Sequence, residues 1–298
     1  MANQEIETIK TMMFSGRDPN APTPSVAEMR QRYEGLGGAF PVGADVTIRT
    51  TALNGVPAEE ITAEGADTRQ ALLYFHGGGY ALGGFVTHRT LVSDLSRASR
   101  RRAYLIDYRL APENSFPAPV EDAVAAYRAL LDLGYSSQQI VLGGDSAGGG
   151  LTLATMLALK QQGLPLPAGG LCISPWADLE MTGSSHQSKA DEDPMVRKPD
   201  LLNWTQIYLK GADPKNPLAS PIHGDFSGLP PLLIQVGTAE TLLDDARMVA
   251  DRAKKAGVTV QLQEWQDMIH VWHHFAAVVG DARKAIDEAG RFFQSLTA

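Results

Sequence analysis

The 298-residue chain reads as an α/β fold built on a mostly parallel sheet. Three observations predict this. From Ala71 onward, short apolar runs alternate with helical stretches of roughly 12–15 residues, the rhythm of repeated strand–helix–strand units. Near the start, an alternating segment ends in Asn54-Gly55, so the first pairing is an antiparallel hairpin. The composition, 44% hydrophobic and 20% charged, is that of a globular chain with enough apolar material for one core plus insertions.

Residues 1–35 form a polar, amphipathic arm carrying Met12, Met13 and Phe14, with a break at Pro19, Pro22 and Pro24. Val46–Leu53 is the first strand of the hairpin, and residues 72–75 are a short buried strand. Residues 87–100 have helical spacing, 103–108 read as a strand and 118–133 as an amphipathic helix. Strand 140–144, helix 147–161 and strand 170–174 follow. Residues 176–228 interrupt the rhythm, being rich in Ser, Asp, Pro and Gly, with one helical piece at 200–209. The rhythm resumes with strand 232–236, helix 241–256, strand 258–265 and a closing helix at 283–296. The expectation is one domain over residues 1–298. It carries two additions, at about 1–40 and at 176–228, each able to cover one end of the sheet.

A net charge of −8, with no basic run beyond Arg100-Arg101-Arg102, repels phosphate backbones and argues against nucleic acid as a partner. Cys172 is the only cysteine, so no intrachain disulfide exists, and its apolar neighbours place it in a buried strand. The first residues include acids and no apolar h-region, and no stretch approaches the roughly 18 apolar residues of a membrane span. The expected address is the cytoplasm, with no membrane partner.

Gly144-Asp145-Ser146-Ala147-Gly148 joins a strand directly to a helix. A serine on so tight a turn needs tiny neighbours at −2 and +2, and the helix behind it aims N–H groups at the reacting oxygen. Ser146 is thus the candidate nucleophile. His76-Gly77-Gly78-Gly79-Tyr80 follows the strand 72–75. Consecutive glycines let the main chain approach a substrate, and the N–H groups of Gly78, Gly79 and Ala147 are the candidate oxyanion donors. His76, beside those donors, reads as a brace for the loop.

With these motifs the chain resembles the bacterial hormone-sensitive-lipase group of α/β-hydrolases. Further matches are Asp107-Tyr108-Arg109-Leu110-Ala111-Pro112-Glu113, then Phe116-Pro117-Ala118 and Asp122. The resemblance spans roughly residues 70–280. It implies an α/β-hydrolase fold with a helical cap, hydrolysis of short- to medium-chain acyl esters, and no cofactor. It also implies dimers through the edge strand at 258–265. The order nucleophile, acid, base puts the histidine in Asp267-Met268-Ile269-His270, where the family carries its base. After its strand at 232–236 the family usually has Asp. Here Glu240 stands there, with Leu242, Asp244 and Asp245 at the family's spacings. Glu240 is the expected triad acid, while Asp244 and Asp245 read as the start of a solvated helix face. A lactone hydrolase would use the same residues. A non-catalytic receptor of this fold would lack the histidine. No His/Asp/Glu set has metal-ligand spacing along the chain.

Overall fold

The computed structural model describes residues 3–16, 24–37 and 39–296. Its eight strands are β1 (Val46–Leu53), β2 (Val56–Ala63), β3 (Asp67–Phe75), β4 (Arg101–Ile106), β5 (Ile140–Asp145), β6 (Gly169–Ile173), β7 (Leu232–Gly237) and β8 (Val260–Trp265). They form one sheet in the order β1-β2-β4-β3-β5-β6-β7-β8. Only β1–β2 and β2–β4 pair antiparallel; the other five pairings are parallel. The hairpin turn is made by Asn54 and Gly55, both at positive φ, as the Asn-Gly signal requires.

Side chains alternate across the sheet, and so the central strands feed two cores. Leu73, Phe75, Leu142, Cys172 and Ile234 point to one face, beneath α4 (Ala118–Asp132), α5 (Ala147–Gln161) and α8 (Leu243–Lys255). Leu72, Tyr74, Val141, Leu171 and Leu233 point to the other, beneath α3 (Phe85–Ser99) and α9 (Gly280–Ser295). Cys172 is fully buried, as its apolar neighbours implied.

The arm contains α1 (Gln4–Ser15) and α2 (Val26–Gly37). Ile6 of α1 is buried in a small cluster with Met268, Ile269 and Trp272, and Gly280 N–H donates to Glu5 at 2.7 Å. Met13 packs at the edge of that cluster, whereas Met12 is 69% exposed. Arg30 of α2 donates to the carbonyls of Ala81 and Ala111 and pairs with Glu113 at 2.8 Å.

The insertion adds one short turn, α6 (Ser185–Ser188), that residue spacing does not reveal, and α7 (Lys198–Leu209). It is fastened by acids at the start of α8, and here the sequence reading needs correction. Asp245 is fully buried: it accepts the N–H groups of Ala177 and Asp178 and lies 3.1 Å from His186 Nε2. Asp244 accepts the hydroxyl of Ser184 and the N–H of Ser185. The helix start has become a docking point because the insertion folds back over it. Among the described residues, no helix is long and apolar enough to cross a membrane.

Candidate active site

Ser146 sits between β5 and α5 with φ 54° and ψ −121°, a backbone conformation that L-residues rarely adopt. Strain of this kind costs about 1–3 kcal/mol and persists only where the surroundings enforce it. Here Ser146 N–H donates to Ile173 O at 2.8 Å and Trp176 N–H donates to Ser146 O at 2.9 Å, which straps the turn to the end of β6. A Cβ on Gly148 would collide with the carbonyl oxygen of Phe75, and one on Gly144 with that of Gly148. The flanking glycines are therefore steric necessities.

The loop after β3 turns back on itself, with Leu82 N–H donating to Gly78 O at 2.8 Å. Gly78 and Gly79 have φ 118° and 62°, which hold their N–H groups in a conformation side chains would disfavour. His76 stacks on Tyr108 at 4.3 Å, and the Tyr108 hydroxyl donates to His76 O at 2.7 Å. His76 is fully buried, which pushes its pKa down to about 3, and it braces the loop as its place beside the donors suggested. The indole of Trp204, from α7, lies against Gly79.

Asp145, which immediately precedes Ser146 in the serine motif, ties this loop to the turn. Its carboxylate accepts the Tyr74 hydroxyl at 2.9 Å and Gly77 N–H at 3.2 Å, and its other oxygen lies 3.2 Å from His88 Nε2. Burial alone would raise the Asp145 carboxyl. The charge and hydrogen bond of His88, then His274 and the Tyr74 hydroxyl, outweigh burial and hold it well below the usual carboxylate range.

Two loops meet on the same end of the sheet. Glu240 lies past β7, and its Oε2 is 2.8 Å from His270 Nδ1. Its Oε1 accepts the Ser174 hydroxyl at 2.8 Å and Gly237 N–H at 2.6 Å. Ser174 Oγ in turn accepts Val271 N–H at 3.2 Å, and Ala239 N–H donates to Met268 O at 3.0 Å. The carboxylate can only accept, so Nδ1 carries the proton and Nε2 keeps a lone pair. Burial pushes the imidazole pKa down, but the hydrogen bond and charge of Glu240, then Asp193 and Asp145, reverse this and raise it. Burial raises the Glu240 carboxyl, while His270 pulls it back.

The structure thus brings Glu240 and His270 into contact and sets Ser146 on the same rim, two strands away from β7. Ser174 and Asp145 are supporting residues that motif spacing alone did not single out. Each is the residue at or just beyond a strand's carboxyl end, and that position was the available signal. The fold also gathers ligand-type atoms from separate segments of the chain. Those of His88, Asp145 and His274, and separately those of Asp178, Glu180 and His223, lie within 4.8 Å of one another.

Residues 72–274 match a family model described as the alpha/beta hydrolase fold. The chain belongs to the α/β-hydrolase family. Within that family it is 47% identical to an esterase of the bacterial hormone-sensitive-lipase group, whose crystal structure superposes over all of both chains with a TM-score of 0.96. It is also 47% identical over 253 residues to an acetyl-hydrolase of Streptomyces hygroscopicus, covering 82% of this chain and 85% of that protein. An esterase of Acinetobacter venetianus is 34% identical, with 97% and 93% covered. In this α/β-hydrolase a cavity of about 540 Å³ opens between α2, residues 83–87 at the start of α3, and the loop at 107–114. It is lined by Arg30, Glu34 and Asp107 among others, and Ser146, Glu240 and His270 do not line it.

Proposed function

We propose that this carboxylesterase cleaves short- to medium-chain acyl esters through a Ser146–Glu240–His270 triad and a covalent acyl-enzyme. The observation that carries the reading is the 2.8 Å contact between Glu240 and His270, on the sheet rim that also bears the strained Ser146. Ser146 Oγ attacks the carbonyl carbon while His270 Nε2 takes its proton. The oxyanion is received by the N–H groups of Gly78, Gly79 and Ala147. Collapse of the intermediate expels the alcohol, which leaves with the proton from His270. Water then repeats the sequence on the acyl-enzyme and releases the acid. Glu240 stabilises the imidazolium formed in both halves without itself taking the proton.

The arm at about 1–40 and the insertion at 176–228 serve as the cap, with Trp204 over the oxyanion loop as one wall of the substrate site. The name of the Streptomyces relative, acetyl-hydrolase, supports the short end of the acyl range. The edge strand β8 offers unpaired backbone for a homodimer, which light scattering on the purified chain would detect.

A p-nitrophenyl ester series from acetate to palmitate, with lactones and an amide alongside, tests the substrate class. The expected result is highest kcat/KM at short to medium acyl length, with Ser146→Ala inert. A lactone turned over far faster than any linear ester would move the assignment to a lactone hydrolase.

A further inference from the structure

Asp193 lies in the insertion, is fully buried, and belongs to none of the motifs discussed so far. Its two carboxylate oxygens do different jobs. Oδ1 accepts the N–H groups of Met195 and Val196 at 2.8 and 2.9 Å, which shapes its own turn. Oδ2 reaches 48 residues along the chain and accepts the N–H of Thr241 at 2.8 Å and its hydroxyl at 3.1 Å. Thr241 immediately follows Glu240. A residue needed only for the local turn would have no use for that second grip, since Oδ1 alone closes the turn.

We propose that Asp193 is a positioning residue for hydrolysis, gripping the Glu240 loop from the insertion and placing a second negative charge behind the Glu240–His270 pair. The inference rests on the triad reading above. It makes the insertion part of the catalytic apparatus: undocking it would release Thr241, loosen Glu240 and remove charge that favours the imidazolium.

The electrostatics point the same way. The groups acting on His270 are Glu240 from the loop after β7, Asp193 from the insertion, Asp145 from the end of β5, and His274 one turn further on. After Glu240, Asp193 is the largest influence raising the His270 pKa. Asp193 and His270 are both buried, and a low-dielectric interior keeps such an influence strong.

The test is the kcat/KM–pH profile of Asp193→Asn, with kcat, KM and melting temperature measured alongside. Asparagine keeps the shape but removes the charge, and it turns an amide donor towards N–H groups. The acid limb should move down by roughly half a pH unit or more, in the direction expected when a nearby anion is lost. In the same variant kcat should fall roughly tenfold to a hundredfold, the scale of a slightly misplaced catalytic group. An unchanged acid limb and kcat, with only KM or melting temperature altered, would reduce Asp193 to a fastener and overturn the proposal. Should Asp193→Asn fail to fold, Thr241→Val decides. It removes one grip and leaves the charge, so kcat should drop several-fold at unchanged acid limb and melting temperature, and an unchanged kcat overturns the proposal. Glu240→Gln, run in parallel, separates the two readings: an active Glu240→Gln defeats the triad, whereas an inactive one beside a normal Asp193→Asn defeats only this inference.

Discussion

Oε2 of Glu240 lies 2.8 Å from Nδ1 of His270, while the carboxylates of Asp244 and Asp245 are engaged with the insertion. Three acids within six residues therefore have separate partners. Glu240→Gln should leave the fold intact and lower kcat by about 10³–10⁴, because the imidazole loses the partner that fixes its tautomer. Asp244→Asn should cost turnover little. Asp245→Asn should instead destabilise the protein by about 1–3 kcal/mol, since an amide in place of the carboxylate cannot serve the N–H groups of Ala177 and Asp178 and the ring of His186 as well as the two oxygens do. Steady-state kinetics and chemical unfolding on the three variants check this. A crippled Asp244→Asn beside a healthy Glu240→Gln would reverse the assignment.

The turn at Ser146 gives a steric prediction. Gly148→Ala would drive a Cβ into the carbonyl oxygen of Phe75, and Phe75 leads into the loop of the proposed oxyanion donors. Relief requires the loop and the turn to separate, so kcat should fall by about 10² or more, the cost of lost oxyanion alignment. A fluorophosphonate should label the wild type at Ser146 and label Gly148→Ala much more slowly. Labelling at the wild-type rate would mean that the turn relaxes without moving the donors.

Much of the fold and of the candidate site was legible along the chain, and the limits have physical reasons. Hairpin and strand–helix alternation follow from local chemistry: Asn54-Gly55 takes positive φ, and Leu72–Phe75 feeds both cores by simple alternation. Ser146 announces itself because its glycines answer a steric demand that leaves few substitutes. The fate of Asp245 was not legible. As a helix-start acid it has the ordinary pattern of a solvated face, and only the return of the insertion buries it. Spacing along the chain does not pair Ser174 or Asp193 with their partners, since Glu240 and Thr241 lie 66 and 48 residues away. Nor does apolarity place Met12, which is 69% exposed although its neighbour Met13 packs against the cluster around Ile6.

Activity should titrate with the base. In the proposed triad His270 must be neutral to accept the serine proton, and Glu240, Asp193 and Asp145 together raise its pKa above the ordinary 6.5 despite burial. A raised pKa means protonation persists to higher pH. The rise of kcat/KM should therefore have its midpoint above 6.5, with a plateau on the alkaline side. A midpoint well below 6.5 would show that the surrounding carboxylates do not govern the ring.

Stability should respond to acid in a separate window. Burial holds His76 and His273 down to a pKa of about 3 and His274 to about 4, from an ordinary 6.5. The unfolded chain binds these protons below about 6.5 while the folded one does not, so stability falls as pH drops from there towards 4. The raised pKa of His270 acts in the opposite sense, giving stability below 6.5 that is lost as pH rises through its folded value. Three depressed rings against one raised ring predict a net loss on acidification. Calorimetry at pH 7.5, 6 and 5 should show a progressive fall in Tm, and a Tm constant to pH 5 would contradict the burial of these rings.

The arm near Ile6 should act on the base rather than on substrate choice. Ile6 is fully buried against Met268 and Ile269, the two residues that lead into His270, and α1 is further anchored by Glu5 to Gly280 and by Asn3 to Asp281. Ile6→Ala removes apolar contacts under that loop and should cost about 2–4 kcal/mol, the usual range for truncating a buried isoleucine. A looser loop lets His270 drift from Glu240, so kcat should fall several-fold for every ester alike. Met12, at 69% exposure, has no such support to give, and Met12→Ala should leave both Tm and kcat unchanged. The decisive comparison is the acyl-length profile of Ile6→Ala against wild type on acetate, butyrate and hexanoate. A proportional loss across the series places α1 behind the catalytic loop. A profile that changes shape while Tm holds would instead put the arm's apolar residues against the acyl chain.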